Sequence, residues 1–307
     1  MDSKITATTP SLESAPRIIV GIATLGRGAI VTEAVKDIAR QRRLPDLVFV
    51  SGTSDLDFGT LPSQDLPFSL KLLIGPKGSC AQRNLIFSHL EPTDILLVMD
   101  DDFLLADDYL SELETLMQEA SDIVIATGNV LVDGILGPGL DFDEGQVALD
   151  KALQHPAGQD IAPVRNGYGC NMAVRMQPVL ENGLQFDEAL PLYGWFEDVD
   201  FSVRLGQYGR IVRANMLRGV HLGTKIGRTP GKKLGYSQVA NLVYLRKKGT
   251  ITRRAMYIQI ARNIASNIRH TIRPVFWADH RGRLLGNFLA FTDLALGRCN
   301  PNRITTF

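Results

Sequence analysis

The feature that most constrains the fold is a short apolar run, residues 95–99 (ILLVM), that leads directly into three adjacent aspartates at residues 100–102. A run of this length, bounded by polar residues, is typical of a parallel strand covered on both faces. Ligands of open α/β sheets bind beyond the carboxyl ends of such strands. Three neighbouring carboxylates repel one another, and a divalent ion that prefers oxygen ligands offsets that repulsion. The pattern predicts a metal site, or else a solvated acidic turn before a helix that Asp107 or Asp108 caps.

Strand-like and helix-like segments alternate through the first half of the chain. Strands are expected at residues 17–23, 47–50, 68–74, 95–99 and 123–126, and helices at residues 30–41, 79–90 and 108–120. This βαβ rhythm predicts a parallel sheet with helices on both faces. Residues 132–162 carry scattered glycine and proline and are expected to be irregular, as a flexible loop or a small excursion from the domain.

The last 60 residues are expected to be helical, amphipathic and basic. Residues 255–272 place apolar side chains on one helical stripe, and residues 283–296 carry a second set. Such a pair could lie in a membrane interface, or could pack on the rest of the chain or on a second subunit. The sequence favours none of these, so a homodimer also stays open.

The charges of the chain are divided between its two parts. Residues 1–200 hold 13 Lys and Arg against 31 Asp and Glu, whereas residues 201–307 hold 20 against 2. A basic segment of this kind attracts phosphate groups on nucleic acid, on anionic lipid or on a diphosphate-bearing substrate. The alternative is that the two parts neutralise each other when the chain folds.

Several features indicate a cytoplasmic protein. Residues 1–15 are rich in Ser, Thr and Pro without an apolar core, and we expect a disordered tail instead of a signal peptide. The three cysteines, Cys80, Cys170 and Cys299, are widely spaced and odd in number, which fits a reducing compartment. The apolar runs are far shorter than the ~20 residues that span a bilayer. Peripheral attachment to the inner face of the plasma membrane stays open.

Five motifs follow one another along residues 17–225. They are a strand ending in Thr24, GSCAQRN at residues 78–84, DDD at residues 100–102, GCNMAVR at residues 169–175, and EDVD at residues 197–200 followed by Arg204. In this order they resemble the motifs of family 2 glycosyltransferases, inverting enzymes whose nucleotide-sugar-binding domain has the fold called GT-A. The resemblance implies an α/β GT-A domain over residues 16–225, Rossmann-like, with a mixed and mainly parallel sheet between helices. A helical C-terminal extension would then cover residues 226–307.

The resemblance also implies a metal-assisted site for a nucleotide sugar. Asp102 would bind Mn²⁺ or Mg²⁺ directly, and Asp100 would meet the ribose or a metal-bound water. His221 would complete the metal or diphosphate site, unless it is a buried structural histidine. Lys225 and Arg228, on a glycine-rich stretch, would close over the diphosphate. A metal there neutralises charge that develops on the leaving diphosphate.

A carboxylate opposite the leaving group must accept the proton of the attacking hydroxyl. Asp198 matches the position of the base in the family, and Trp195 and Glu197 are expected to bind the acceptor. Aromatic neighbours stack on sugars and raise the pKa of a carboxylate. These acids also suit the start of a helix, where the helix dipole favours negative charge, and both interpretations can hold together.

The nucleotide would be bound by Thr24, Asp55 and Arg83, with uracil as the expected base. The family usually has an acidic residue where this chain has Ser51. Either Asp55 takes over the contact to uracil, or the site binds a different base. The expected substrates are a UDP-sugar and a saccharide or lipid-linked saccharide acceptor, in glycan or polysaccharide synthesis.

Two other functions are consistent with parts of the sequence. A nucleotidyltransferase shares the acidic strand end, but it needs a phosphate-gripping loop after the first strand, of which residues 24–28 (TLGRG) are a faint version. A nucleic-acid-binding protein would use the basic C-terminal segment, but that segment lacks the interleaved aromatic residues of a stacking platform. We therefore expect no nucleic acid among its partners.

Overall fold

A computed structural model describes residues 15–307, and nine strands of that range form one sheet. The strands are β1 (Ile18–Ala23), β2 (Leu47–Gly52), β3 (Leu70–Ile74), β4 (Ile95–Asp100), β5 (Phe103–Leu105), β6 (Ile123–Asp133), β7 (Ile161–Pro163), β8 (Asn171–Arg175) and β9 (Arg210–His221). The predicted tail, residues 1–15, lies outside the described residues except for Ala15.

The helices of the described range lie between these strands and beyond them. They are α1 (Gly28–Ile38), α2 (Ser79–Phe87), α3 (Tyr109–Glu119), α4 (Phe142–Leu153), α5 (Met176–Glu181), α6 (Glu197–Leu205), α7 (Gly231–Lys248), α8 (Arg253–Ile272) and α9 (His280–Ala295). The alternation predicted for the first 126 residues is confirmed, with element ends shifted by a few residues.

The sheet has the strand order β3-β2-β1-β4-β8-β6-β9-β5, and β7 pairs with β9. The strands from β3 to β4 run parallel, whereas β8 inserts antiparallel between β4 and β6. The predicted mixed sheet is thus confirmed, and four of its eight pairings are parallel. The chain moves from β1 outward to β2 and β3 and then returns to the other side of β1 at β4. This switch leaves the carboxyl ends of β1 and β4 side by side, where ligands bind in sheets of this kind.

Alternate side chains of the strands feed two cores, one on each face of the sheet. In β1, Ile18, Val20 and Ile22 pack with α1 and α3, whereas Ile19 packs on the opposite face, where α2 and α6 lie. All four side chains are buried. Burial on both faces explains why β1 and β4 read as continuous apolar runs in the sequence.

The expectation of an irregular loop over residues 132–162 is wrong for the part that forms α4. Asp141 accepts a hydrogen bond from the backbone N–H of Glu144, and the Glu144 carboxylate accepts one from the N–H of Asp141. This capping box starts the helix. Leu149 then anchors it to β5 and β9 through the small core that contains Leu104 and Leu222.

Helix α7 was missed in the sequence, because it lacks a polar face. Tyr236, Val239 and Leu242 belong to the same core as Phe87 and Phe201, so α7 is buried around most of its circumference. The helices expected at residues 255–272 and 283–296 are confirmed as α8 and α9. Of the predicted α8 stripe, Ile260 is buried, whereas Tyr257, Ile268 and Ile272 are exposed.

The first turns of α7 and α9 pack so closely that their backbones are in contact. A Cβ added at Gly235 would lie 2.0 Å from the carbonyl oxygen of Arg283, and one added at Gly286 would lie 2.1 Å from that of Lys232. Only glycine fits at these two positions. Of the helices within residues 15–307, none combines the length and the apolar character needed to cross a bilayer.

The contact between α7 and α9 can be tested with Gly235→Ala. Overpacking typically costs about 1–3 kcal/mol, and the better helix propensity of alanine returns only about 1 kcal/mol. We expect a net loss in the free energy of unfolding, measured by urea denaturation with circular dichroism. Gly137→Ala is the control, because a Cβ added at Gly137 would meet nothing within 4 Å. Equal stability of the two variants would contradict the close contact.

Candidate active site

Three aspartates lie at the switch between β1 and β4. Asp100 ends β4 and is partly exposed, whereas Asp101 and Asp102 are each 3% exposed. The carboxyl end of β9 reaches the same place and contributes His221. Folding therefore brings the aspartates at the end of β4, which the sequence pattern predicts, close to a histidine more than 100 residues further along the chain.

Asp100, Asp102 and His221 can each offer a ligand atom, and these atoms lie within 4.8 Å of one another. We call these three residues the metal group. Nε2 of His221 is 3.4 Å from a carboxylate oxygen of Asp102. Two carboxylates and an imidazole suit Mn²⁺ or Mg²⁺, which complete their shells with waters and substrate phosphates. The structure thus brings together the two residues predicted to bind metal, and Asp100 lies with them.

Asp133 orients His221 and was missed in the sequence. Its carboxylate lies 2.8 Å from Nδ1 of His221 and accepts a hydrogen bond from the Tyr168 hydroxyl at 3.0 Å. With Nδ1 engaged, Nε2 faces Asp102, an arrangement that is common for metal-binding histidines. Burial favours the neutral ring, but hydrogen bonds with Asp102 and Asp133 outweigh it and raise the pKa of His221 to about 10. A divalent ion competes with that proton.

Asp101 faces away from this group. It accepts a hydrogen bond from the Thr24 hydroxyl at 2.7 Å and one from Arg27 at 2.8 Å. Arg27 also donates to the carbonyl of Ile226, so it joins the end of β1 to the segment after β9. Thr24, predicted to contact the nucleotide, is buried and uses its hydroxyl on Asp101. Arg27 was missed; its position directly before α1 was the available signal.

Arg83 connects the acidic strand end with the start of α6. Its guanidinium donates to Glu197 at 2.6 Å, to Asp100 at 3.2 Å and to the carbonyl of Gly169 at 3.2 Å. The side chain is buried, and it packs over the Phe186 ring. Arg83 was predicted to contact the nucleotide; the structure places it in this network beside Asp100, and the contact stays a prediction.

The turn before α6 has an unusual backbone. Leu192 and Phe196 have φ of 60° and 77°, and Gly194 between them has φ of 68°. Non-glycine residues rarely adopt this region, and such strain is concentrated at functional sites. The α2 residue Ser79 holds the turn, since its N–H donates to the carbonyl of Leu192 and its hydroxyl to that of Tyr193.

This turn presents Glu197 and Asp198 in the first turn of α6. Asp198 accepts hydrogen bonds from the N–H groups of Gly169 at 3.2 Å and Val199 at 2.7 Å. Burial raises the pKa of both Glu197 and Asp198. A raised pKa suits a carboxylate that accepts a proton. The backbone carbonyl of Trp195 is held by Asn241 on α7.

The remaining predicted contacts, Asp55, Lys225 and Arg228, lie on segments that follow β2 and β9. Asp55 is exposed after β2, where the missed residue Asp57 is buried and accepts a hydrogen bond from the N–H of Gly26 at 2.6 Å. Lys225 donates to the carbonyls of residues 134 and 135, and Arg228 to those of residues 223 and 224. Their segment is next to the metal group, because the N–H of Thr224 donates to Asp102 at 2.7 Å.

Comparison with known proteins gives a likeness in structure only. No protein-family profile matches the chain, and no curated protein does. Among solved structures, GalNAc-T7 with UDP, GalNAc and Mn²⁺ is similar with a TM-score of 0.51 and 14% identity, over 68% of this chain and 44% of that one. Residues 1–349 of S. aureus TarS give 0.51 and 14%, over 75% and 65%. The mannosyltransferase PcManGT from Pyrobaculum calidifontis, in complex with GDP-Man and Mn²⁺, gives 0.54 and 15%, over 96% and 84%.

These likenesses establish the fold class. The chain has the GT-A fold of these glycosyltransferases, which confirms the fold implied by its motifs. It spans less than two thirds of the length of GalNAc-T7 and of the TarS fragment.

The metal group can be tested with Asp102→Ala. We expect Mn²⁺ affinity, measured by calorimetric titration, to fall by more than about tenfold, since even outer partners of a metal site contribute about 10–100-fold. Asp101→Asn is the matched control, because its carboxylate faces Thr24 and Arg27. If both variants bind Mn²⁺ equally well, the metal is not held by the proposed residues.

Proposed function

We propose that the chain is an inverting glycosyltransferase that moves a sugar from a nucleotide sugar to a saccharide or lipid-linked saccharide, in glycan or polysaccharide synthesis. One observation carries this proposal: a GT-A sheet holds a group of metal-binding type, and Arg83 ties it to the carboxylates at the start of α6. The UDP and GDP-Man complexes of similar structures support a nucleotide sugar as donor. We keep UDP as the expected nucleotide.

In the proposed mechanism each end of the site has one task. Asp102 and His221, with Asp100, would hold Mn²⁺ or Mg²⁺, which supplies positive charge for the leaving diphosphate. Asp198 would accept the proton of the acceptor hydroxyl as that oxygen attacks the anomeric carbon. Attack opposite the leaving group inverts the configuration in one displacement.

The remaining proposed contacts bind the nucleotide and the acceptor. Thr24, Asp55 and Arg83 are our proposed nucleotide contacts, and Trp195 and Glu197 our proposed acceptor contacts. The Trp195 ring is partly exposed, and its centroid lies 4.4 Å from that of the Phe196 ring; aromatic rings of this kind stack on sugars. We also keep the boundary between catalytic and C-terminal regions at residue 225 as a proposal.

The role of Asp198 can be tested with Asp198→Asn. Loss of a general base typically costs about 10²–10⁴-fold in rate, so we expect transfer to fall by that factor while Mn²⁺-UDP binding persists. Asp143→Asn, on α4, is the control for a surface carboxylate. The anomeric configuration of the wild-type product, read by NMR, tests inversion separately. Normal turnover by Asp198→Asn, or a retained configuration, would contradict the mechanism.

We also propose that the C-terminal helices bind an anionic lipid surface, which would place the protein at the inner face of the plasma membrane. Large apolar side chains are exposed on α8, α9 and the turn between them: Tyr257, Ile268, Ile272, Phe276, Leu285 and Phe288. We call this set the C-terminal apolar surface. Phe276 is 90% exposed and Ile272 is 75% exposed.

The charge around the C-terminal apolar surface favours an anionic partner. Exposed arginines lie on the same elements: Arg262, Arg269, Arg273 and Arg281. The two acidic residues beyond residue 200 are both engaged, since Asp279 accepts a hydrogen bond from Gly282 and Asp293 one from Tyr236. Apolar side chains that enter the headgroup boundary, together with arginines that meet lipid phosphate, are typical of interfacial helices.

Lipid binding can be tested by flotation with vesicles of phosphatidylcholine, with and without phosphatidylserine. We expect the full chain to float with the anionic vesicles, and the double variant Phe276→Ser/Phe288→Ser to bind at least about tenfold more weakly, since each buried aromatic side chain contributes about 1.5–3 kcal/mol. Val147→Ser, on α4, is the control and is 67% exposed, as is Phe288. Equal flotation of all three proteins, or a dimer that the double variant abolishes, would contradict lipid binding.

A further inference from the structure

Three cationic side chains on the segment after β9 and on the first turn of α9 have no carboxylate partner among the described residues. Within residues 15–307, Lys225, Arg228 and Arg283 form no ion pair. Lys225 and Arg228 donate only to backbone carbonyls. Nε of Arg283 is buried and has no hydrogen-bond partner. The other arginines near the site, Arg27 and Arg83, are each paired with aspartate.

The fold places the backbone of Arg283 against the start of α7, the helix that follows Lys225 and Arg228 in the chain. Arg283 lies in the first turn of α9, and its backbone rests against Gly235 in the first turns of α7. At the same junction, a Cβ added at Gly231 would lie 2.4 Å from the carbonyl oxygen of Asp279. Since α7 begins three residues after Arg228, this junction holds the start of α9 next to the segment.

The mutual effect of the charges agrees with this placement. Burial, and then the positive charge of Arg228, lower the pKa of Lys225 to about 8, and Arg283 acts in the same direction. Burial and the charge of Arg228 also lower the pKa of Arg283. To hold like charges together in a partly buried place costs free energy unless an anion neutralises them.

We propose that Arg283 joins Lys225 and Arg228 in a three-cation site for a phosphate group, beside the metal group. The inference rests on the proposed function and extends it, because it brings α9 of the C-terminal region into the substrate site. The N–H of Thr224 donates to Asp102, so the segment that carries Lys225 and Arg228 contacts the metal group. An anion held by the three cations would therefore lie next to the metal. A phosphate group suits this site, because a guanidinium donates two parallel hydrogen bonds to phosphate oxygens. The phosphate belongs either to the donor diphosphate or to a phosphorylated acceptor.

The first experiment titrates inorganic pyrophosphate into the full-length protein with Mn²⁺, by calorimetry. We expect Arg283→Gln to weaken pyrophosphate binding by about tenfold or more, because charge-assisted hydrogen bonds are the strong ones. Arg213→Gln, on β9, is the control: Arg213 is exposed, carries the same charge and lies outside the C-terminal helices. Arg283→Lys keeps the charge and is expected to bind within a few-fold of the wild type, which separates loss of the cation from loss of the fold.

A second titration, with farnesyl phosphate in the presence of Mn²⁺ and UDP, separates the two sources of phosphate. Loss of pyrophosphate binding in Arg283→Gln assigns the site to the donor; loss of farnesyl phosphate binding alone assigns it to the acceptor. If Arg283→Gln matches Arg213→Gln with both ligands, the site does not exist. Asp102→Ala separates the two proposals, since its failure to weaken Mn²⁺-dependent pyrophosphate binding contradicts the proposed metal site whatever the Arg283 variants show.

Discussion

The ion pairs of Arg83 are the interaction on which the rest of the site depends. One buried guanidinium contacts Asp100 at the end of β4 and Glu197 at the start of α6. Removing one partner from a buried ion pair typically costs about 3–5 kcal/mol, because the other charge is left uncompensated. These contacts fix the separation between the metal group and Asp198. A reaction that needs positive charge on one side of a sugar and a base on the other requires such a fixed separation.

The charges of the site are arranged so that not all of its carboxylates are neutralised by protein. Arg27 engages Asp101 and Arg83 engages Asp100, while burial raises the pKa of Asp198. Clusters of groups with shifted pKa values are typical of functional sites. Asp102 lies 3.9 Å from Arg27 and 3.4 Å from His221, which can exchange its proton for a metal. Around Arg283 the imbalance has the opposite sign, because Lys225, Arg228 and Arg283 have no carboxylate partner within residues 15–307. In the proposed three-cation site, a phosphate group supplies the missing negative charge.

The elements that could be predicted are those whose signal is local. Strand β4 and its aspartates are a contiguous pattern, and helices α1 to α3 each follow a strand in the expected rhythm. Helix α7 could not be found from periodicity, because a helix that is buried around most of its circumference has no clear polar face. Asp133 was missed because β6 extends through polar residues to residue 133, well past the expected end at 126. The placement of Arg283 depends on a helix contact that no local pattern encodes.

The central claim is that Asp102 and His221 hold a divalent metal at the diphosphate end of a sugar-transfer site. It is tested most directly by a crystal of the protein soaked with UDP and Mn²⁺, with manganese located by its anomalous scattering. The account predicts one manganese peak within coordination distance of an Asp102 oxygen and Nε2 of His221, bridged to the UDP phosphates. Manganese bound elsewhere, or UDP bound at a different edge of the sheet, would contradict the account.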